Sequence, residues 1–156
     1  MTNHVHTIMQ SSNGNLSDLV RDFKKFTSKQ ILYTIQANSI ESRKDWLQMI
    51  FKYYAKFNRR AEEVQFWTHH NHAVELTSNE MNSTRLNYIH QNPVSHGFIK
   101  KCAAWKYSSY NAILNDKSSR VDKESVLNWF DNVGNFIACH NEKTIKNYAL
   151  KMELEY

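Results

Sequence analysis

The spacing of apolar positions in the first part of the chain predicts a strand followed by a long helix. Residues 4–9 (HVHTIM) alternate partly between polar and apolar and are rich in β-branched side chains, which is typical of a strand. Residues 11–15 (SSNGN) form a turn. Residues 16–35 then place apolar side chains three and four positions apart, as in an amphipathic helix. Those side chains are Leu16, Leu19, Val20, Phe23, Phe26 and Ile31.

The middle of the chain repeats both patterns. Residues 39–58 form a second helical pattern whose apolar members include Trp46, Ile50 and Tyr53. Residues 64–76 (VQFWTHHNHAVEL) are aromatic and β-branched, which predicts one or two strands.

A third helix is predicted from its start and stop signals. Thr77 and Glu80 have the Thr-x-x-Glu spacing of a capping box. The helix should end near Asn92, because Pro93 disfavours helical geometry in the residue before it, and Gly97 marks the turn beyond. The remainder predicts small helices. The element order strand, helix, helix, strand, helix indicates an α+β fold.

Composition places the chain among globular proteins. Its 156 residues fit one domain, and 41% hydrophobic and 13% aromatic content excludes a disordered chain. No apolar run approaches the roughly 18 residues of a membrane span, and the N-terminus lacks the apolar core of a signal peptide, so we expect a cytoplasmic protein with no membrane partner. Cys102 and Cys139 match no metal-binding or redox spacing and are expected to be reduced and packed.

Positive charge is concentrated in the first part of the chain. The net charge is +5, and residues 1–60 carry ten Lys or Arg against four Asp or Glu. A basic region favours a polyanionic partner such as nucleic acid. The cations on the outer side of the first helix also have a plainer interpretation as a solvated face.

Two short stretches contain residues that could bind a metal ion or act in catalysis. Side chains at positions i and i+2 of a strand share a face, so His4 and His6 could hold one cation, although two polar residues on a solvated face have the same pattern. Tyr88 and Asn92 lie four apart on the third predicted helix and share a face. A tyrosine there can attack phosphorus, and an asparagine amide oxygen can ligate a hard cation. His90, two residues after the tyrosine, faces about 200° away and is expected to pack.

A third histidine cluster offers a competing site. His69, His70 and His72 occur within four residues, and the last two would share a strand face. Zinc binding is conceivable there, although no fourth ligand at a characteristic spacing follows.

The ordered motifs of the chain resemble a known family. They are NHVH at residues 3–6, the basic helix LSDLVRDFKKFTSK, FW before the histidine-rich segment, YIHQNPV at residues 88–94 and WKYSS at residues 105–109. Together they are similar to the REP-associated tyrosine transposases of the single-tyrosine HUH transposase superfamily. The resemblance covers roughly residues 3–112.

The resemblance implies a fold and a reaction. The fold would be an α+β, ferredoxin-like antiparallel sheet with helices packed on it, spanning residues 1–112 and followed by a helical C-terminal extension at residues 113–156. Tyr88 would be the nucleophile, and His4, His6 and Asn92 would bind Mg2+ or Mn2+. The activity would be that of a DNA endonuclease and strand transferase in transposition, cleaving single-stranded or hairpin DNA through a 5′-phosphotyrosine intermediate. Phosphate-tracking cations would be Arg21, Lys24, Lys25, Arg59 and Arg60.

The same resemblance bears on the start of the chain. Family members carry a further segment, including a neighbouring strand, before the His-x-His strand. We therefore expect an N-terminally truncated member that lacks the first strand of the sheet. Two alternatives remain open: a truncated, non-catalytic DNA-binding relic of such a transposase, and a histidine-rich zinc protein. The sequence also leaves a homodimer open.

Overall fold

The regular elements of this protein are helices. The computed structural model describes residues 4–58, 63–115 and 119–141. Six α-helices occur in these ranges, with a short 3-10 helix at Cys102–Ala104 between the third and the fourth. They are α1 (Leu16–Ala37), α2 (Lys44–Ala55), α3 (Asn79–Ser95), α4 (Tyr110–Leu114), α5 (Lys123–Asn128) and α6 (Val133–Cys139).

The chain divides into two compact units. One, the α3 unit, combines residues 1–8 with residues 74–156, and the other, the α1–α2 unit, comprises residues 9–73. The buried core of the α3 unit surrounds Phe136, which is completely inaccessible to solvent, and Ile8 of the N-terminal segment packs against it. The other core members are Leu86, Cys102, Tyr110, Ile113, Val126 and Phe130.

The predicted ferredoxin-like α+β fold is wrong, since no residue in the described ranges belongs to a strand. At the start of residues 64–76, adjacent aromatic side chains pack onto helices rather than onto a neighbouring strand. The Phe66 ring lies 5.3 Å from that of Phe51 on α2, and the Trp67 ring lies 6.2 Å from that of Phe23 on α1. Trp67 Nε1 also donates a hydrogen bond to Thr27 Oγ1 at 2.9 Å. Aromatic contacts with helices thus take the place of a sheet.

The first helix is confirmed, and the second is shorter than predicted. Asn15 caps α1 by accepting a hydrogen bond from the Asp18 amide, so the helix begins where its apolar pattern begins. The second pattern was predicted from residue 39, but α2 begins at Lys44. Glu41 accepts hydrogen bonds from both the backbone and the side chain of Arg43, and this local loop replaces the first turn.

The third helix is confirmed with different ends. Ser78, rather than Thr77, is its N-cap and accepts a hydrogen bond from the Met81 amide. The helix continues through Pro93, which removes only one backbone hydrogen bond and does so in the last turn. It stops at Ser95, because Gly97 adopts a φ of +74°. The Gly97 and Phe98 amides bond the carbonyls of Val94 and Pro93, a Schellman ending.

Candidate active site on helix α3

Helix α3 carries the predicted nucleophile and one predicted metal ligand. Tyr88 is half-buried, and Asn92 follows one turn later with 3% of its surface exposed. The Asn92 side-chain oxygen Oδ1 is buried and accepts no hydrogen bond within the described part of the chain. The same holds for Oδ1 of Asn87, the residue before the tyrosine. Buried polar atoms are rarely left without a partner, so the Asn92 oxygen, one turn after Tyr88, is a candidate ligand atom.

The N-terminal segment brings both predicted histidines to this region of the α3 unit. The rings of His4 and His6 meet edge to face with centroids 5.0 Å apart. The His6 ring in turn lies 5.5 Å from the Tyr88 ring. His6 Nε2 is buried and has no hydrogen-bond partner among the described residues. Although the segment is not a strand, the two histidines do lie together, and His6 lies beside the tyrosine.

Burial favours the neutral form of His6. Its pKa is lowered from the ordinary value, first by removal from water and then by the neighbouring His4 and His96. A neutral imidazole has the free lone pair through which histidine binds a metal.

His96 is a neighbour that sequence reasoning missed. It is the C-cap of α3, one turn beyond Asn92, and its Nδ1 donates a hydrogen bond to the Asn92 carbonyl at 2.9 Å. The signal was present in the sequence, because Tyr88, Asn92 and His96 are spaced by four residues.

The donor set fits a divalent cation. His6 Nε2 and Asn92 Oδ1 are respectively an imidazole nitrogen and an amide oxygen, both known metal donors, and neither has a hydrogen-bond partner among the residues that the structure describes. Leaving such a buried group unpaired costs about 1–3 kcal/mol. In the described ranges no three His, Cys, Asp or Glu side chains converge on one point. A cation at this site would therefore depend on the asparagine oxygen as well as on the histidines.

Behind the tyrosine, a buried chain of hydrogen bonds connects α3 to later parts of the same unit. His140 Nδ1 lies 2.7 Å from the Phe136 carbonyl, which can only accept, so His140 Nε2 is the acceptor. His90 Nδ1 therefore donates to His140 Nε2 at 2.9 Å, and Ser109 Oγ donates to His90 Nε2 at 2.8 Å. Gln91 Nε2 adds a bond to the His140 carbonyl at 2.8 Å.

The packing role predicted for His90 is confirmed. The residue has no exposed surface, and its ring contacts those of Tyr110 and Phe136. Burial, followed by the neighbouring His140, lowers the pKa of His90 to about 3. Sequence reasoning missed His140, because no local pattern connects it with α3.

The predicted DNA-binding cations lie in the α1–α2 unit, and Arg59 and Arg60 fall outside the described residues. Lys24 is partly engaged, since its Nζ donates to the Thr68 carbonyl at 2.7 Å and burial lowers its pKa. Arg21 pairs with Asp18 and Asp22, whereas Lys25 is exposed.

The strand face proposed for zinc binding does not form. His69, His70 and His72 are all exposed, and His72 has a φ of +45°, which breaks the alternation of an extended chain. His69 Nε2 instead contacts the side-chain amide of Asn58.

Comparisons of this chain with protein-family models, with curated proteins and with solved structures gave no match. The resemblance to tyrosine transposases therefore rests on the sequence motifs alone. Within the part of the chain that the structure describes, no helix combines the length and apolar character needed to cross a membrane.

Proposed function

We propose that this protein is a metal-dependent DNA endonuclease and strand transferase of the transposase type, with Tyr88 as its nucleophile. The observation that supports the proposal is a pair of buried ligand atoms, His6 Nε2 and Asn92 Oδ1, which have no hydrogen-bond partner in the described part of the chain and belong to neighbours of Tyr88. A buried imidazole nitrogen and a buried amide oxygen that make no hydrogen bond are costly to maintain for structure alone. Their presence in the sequence motifs NHVH and YIHQNPV supports the same assignment.

The reaction is a transesterification at phosphorus. The Tyr88 phenol gives up its proton to solvent, and its oxygen attacks the scissile phosphate in line. The bond from phosphorus to the 3′-oxygen breaks, and that oxygen takes up a proton to become a 3′-hydroxyl. The DNA remains linked to Tyr88 through its 5′-phosphate. Because this ester replaces the one that was broken, another 3′-hydroxyl can reverse the step and join two strands without ATP.

Each side chain has a distinct task in this scheme. His6, His4 and Asn92 would hold Mg2+ or Mn2+, and the bound cation would supply charge stabilisation at the phosphoryl oxygens. The contact between His6 and Tyr88 restricts the orientation of the phenol, because the two rings pack edge to face. The buried His90–His140 pair fixes the helix from which Tyr88 projects.

A covalent-adduct assay tests the proposal. Hairpin DNA labelled at its 3′ end is incubated with the protein and Mn2+ and resolved on a denaturing gel. We expect a labelled protein band with the wild type and none with Tyr88→Phe. The matched control is Tyr107→Phe, a tyrosine of the same unit that is 80% exposed and remote in sequence from the histidines. His6→Ala and Asn92→Ala should each reduce adduct formation at least tenfold.

The alternative of a non-catalytic DNA-binding relic has its own signature in the same experiment. Salt-sensitive binding of the hairpin, with no adduct from the wild type in Mn2+ or Mg2+, would replace the enzymatic proposal with the relic. An adduct that persists in Tyr88→Phe would assign the chemistry to another residue.

A further inference from the structure

Helix α2 exposes an apolar stripe to solvent on the side opposite its packed face. The packed side is formed by Ala55, which is 7% exposed, and by Phe51, whose ring contacts Phe66. On the other side Trp46, Met49, Tyr53 and Phe57 are between 52% and 72% exposed. These four residues, the α2 stripe, recur at intervals of three and four and therefore follow one side of α2 and the turn after it.

Side chains of the stripe contact one another on the surface. The rings of Tyr53 and Phe57 meet with centroids 5.0 Å apart, and Tyr54 meets Tyr53 at 5.7 Å. Isolated exposed apolar residues are ordinary on protein surfaces, but a contiguous patch indicates a partner. Here the patch is mainly aromatic, so it offers flat π faces.

Lysines run beside the stripe. Lys52 and Lys56 are one turn apart, and each directly precedes an aromatic residue of the stripe. Together with Ala55 and Glu63 they line a shallow concave surface. Residues 9–73 carry ten Lys or Arg and six Asp or Glu, so the α1–α2 unit is positive. A partner that stacks on rings and is negatively charged matches both properties.

We propose that the α2 stripe binds single-stranded DNA, with bases stacked on Tyr53 and Phe57 and phosphates held by Lys52 and Lys56. Aromatic platforms flanked by cations bind unpaired bases in this way. Duplex DNA would not bind in this way, because its bases already stack on one another and cannot stack on the aromatic rings. A second copy of the chain would oppose two positively charged patches. The choice of DNA rather than RNA rests on the proposed function, whereas the surface itself is a separate site.

Equilibrium binding tests the inference with the full chain. The probe is a fluorescent oligothymidylate of about 20 nucleotides, long enough for a site of this type. We expect the combined change Tyr53→Ala and Phe57→Ala to weaken binding at least tenfold, with the circular dichroism spectrum unchanged. The matched control combines Tyr33→Ala and Phe26→Ala, which are 72% and 66% exposed on α1 of the same unit, and should change the affinity less than twofold.

Salt dependence tests the lysines. Replacing Lys52 and Lys56 by Gln should lower the slope of log K against log salt concentration by about 1.4, the value for two single-strand phosphate contacts. An unchanged slope would overturn the assignment of these lysines.

Four outcomes would overturn the proposed surface or its occupant. The α1 control could weaken binding as much as the stripe variant does, or duplex DNA could bind as tightly as single-stranded DNA. Oligouridylate could bind tenfold more tightly than oligothymidylate, or the protein could be a dimer that the stripe variant dissociates. The adduct assay separates this inference from the proposed function. If the stripe variant weakens DNA binding but no Tyr88 adduct forms, the binding surface is retained and the enzymatic proposal is rejected. If the adduct forms but the stripe variant binds DNA as the wild type does, the enzymatic proposal is retained and the surface is rejected.

Discussion

Mild acid should destabilise this protein through the buried His90. Its pKa is about 3 in the folded chain, against an ordinary value of 6.5. Well above pH 6.5 the residue is neutral in both the folded and the unfolded state, so its full contribution to the free energy of unfolding is present. As the pH falls below 6.5, the unfolded chain binds a proton that the folded chain does not, and stability is lost progressively until the pH approaches 3.

The size of the effect follows from the same two values. One pKa unit corresponds to about 1.4 kcal/mol, so between pH 7 and pH 5 the His90 contribution to the free energy of unfolding falls by about 2 kcal/mol. This window lies above the range in which ordinary carboxylates titrate. His140 adds to the loss, because burial lowers its pKa as well.

Urea unfolding followed by circular dichroism at pH 7, 6 and 5 measures this loss, and His90→Gln isolates the share of His90. The glutamine amide group can donate to His140 and its oxygen can accept from Ser109, so the variant keeps the two bonds without the titration. We expect the variant to lose about 2 kcal/mol less than the wild type between pH 7 and pH 5. Identical pH dependence in the two proteins would refute the assignment of His90 as a buried neutral side chain.

Three further predictions concern the stability of the α3 unit, each measured as the free energy of unfolding in urea. Phe136→Ala should cost about 3–5 kcal/mol, because the side chain is fully buried, whereas the 43%-exposed Val133 should tolerate alanine within about 0.5 kcal/mol; similar costs would contradict the described core. Ser78→Ala should cost about 1 kcal/mol and Thr77→Ala much less, because only Ser78 caps α3, and the opposite ranking would restore the predicted capping box. Gly97→Ala should cost about 1 kcal/mol, since alanine is strained at a φ of +74°, and a stabilised variant would contradict the Schellman ending.

The helices were predictable because their signals are local. The three- and four-residue spacing of apolar side chains located α1, and Pro93 and Gly97 together bracketed the end of α3. The exact end was misplaced because a proline in the last turn removes only one backbone bond.

The strand at residues 64–76 was mispredicted because aromatic and β-branched composition indicates burial and does not reveal what covers the side chains. Phe66 and Trp67 pack against helical residues, so a composition typical of strands occurs here without a neighbouring strand. The sequence also gave no sign of the bond between His90 and His140, since the pairing depends on the tertiary fold. The contact between His6 and Tyr88 was expected only through the family resemblance.

The contact between His6 and Tyr88 has a kinetic consequence. It closes a loop that contains the whole α1–α2 unit, residues 9–73. While the α1–α2 unit is still unfolded, closing this loop of roughly 80 residues costs on the order of 4 kcal/mol in chain entropy. The N-terminal segment is only lightly anchored, with Val5 59% exposed and Ile8 packed on the core. The histidines should therefore join the tyrosine late in folding and leave it early on heating, so that heat abolishes the site before the core around Phe136 melts.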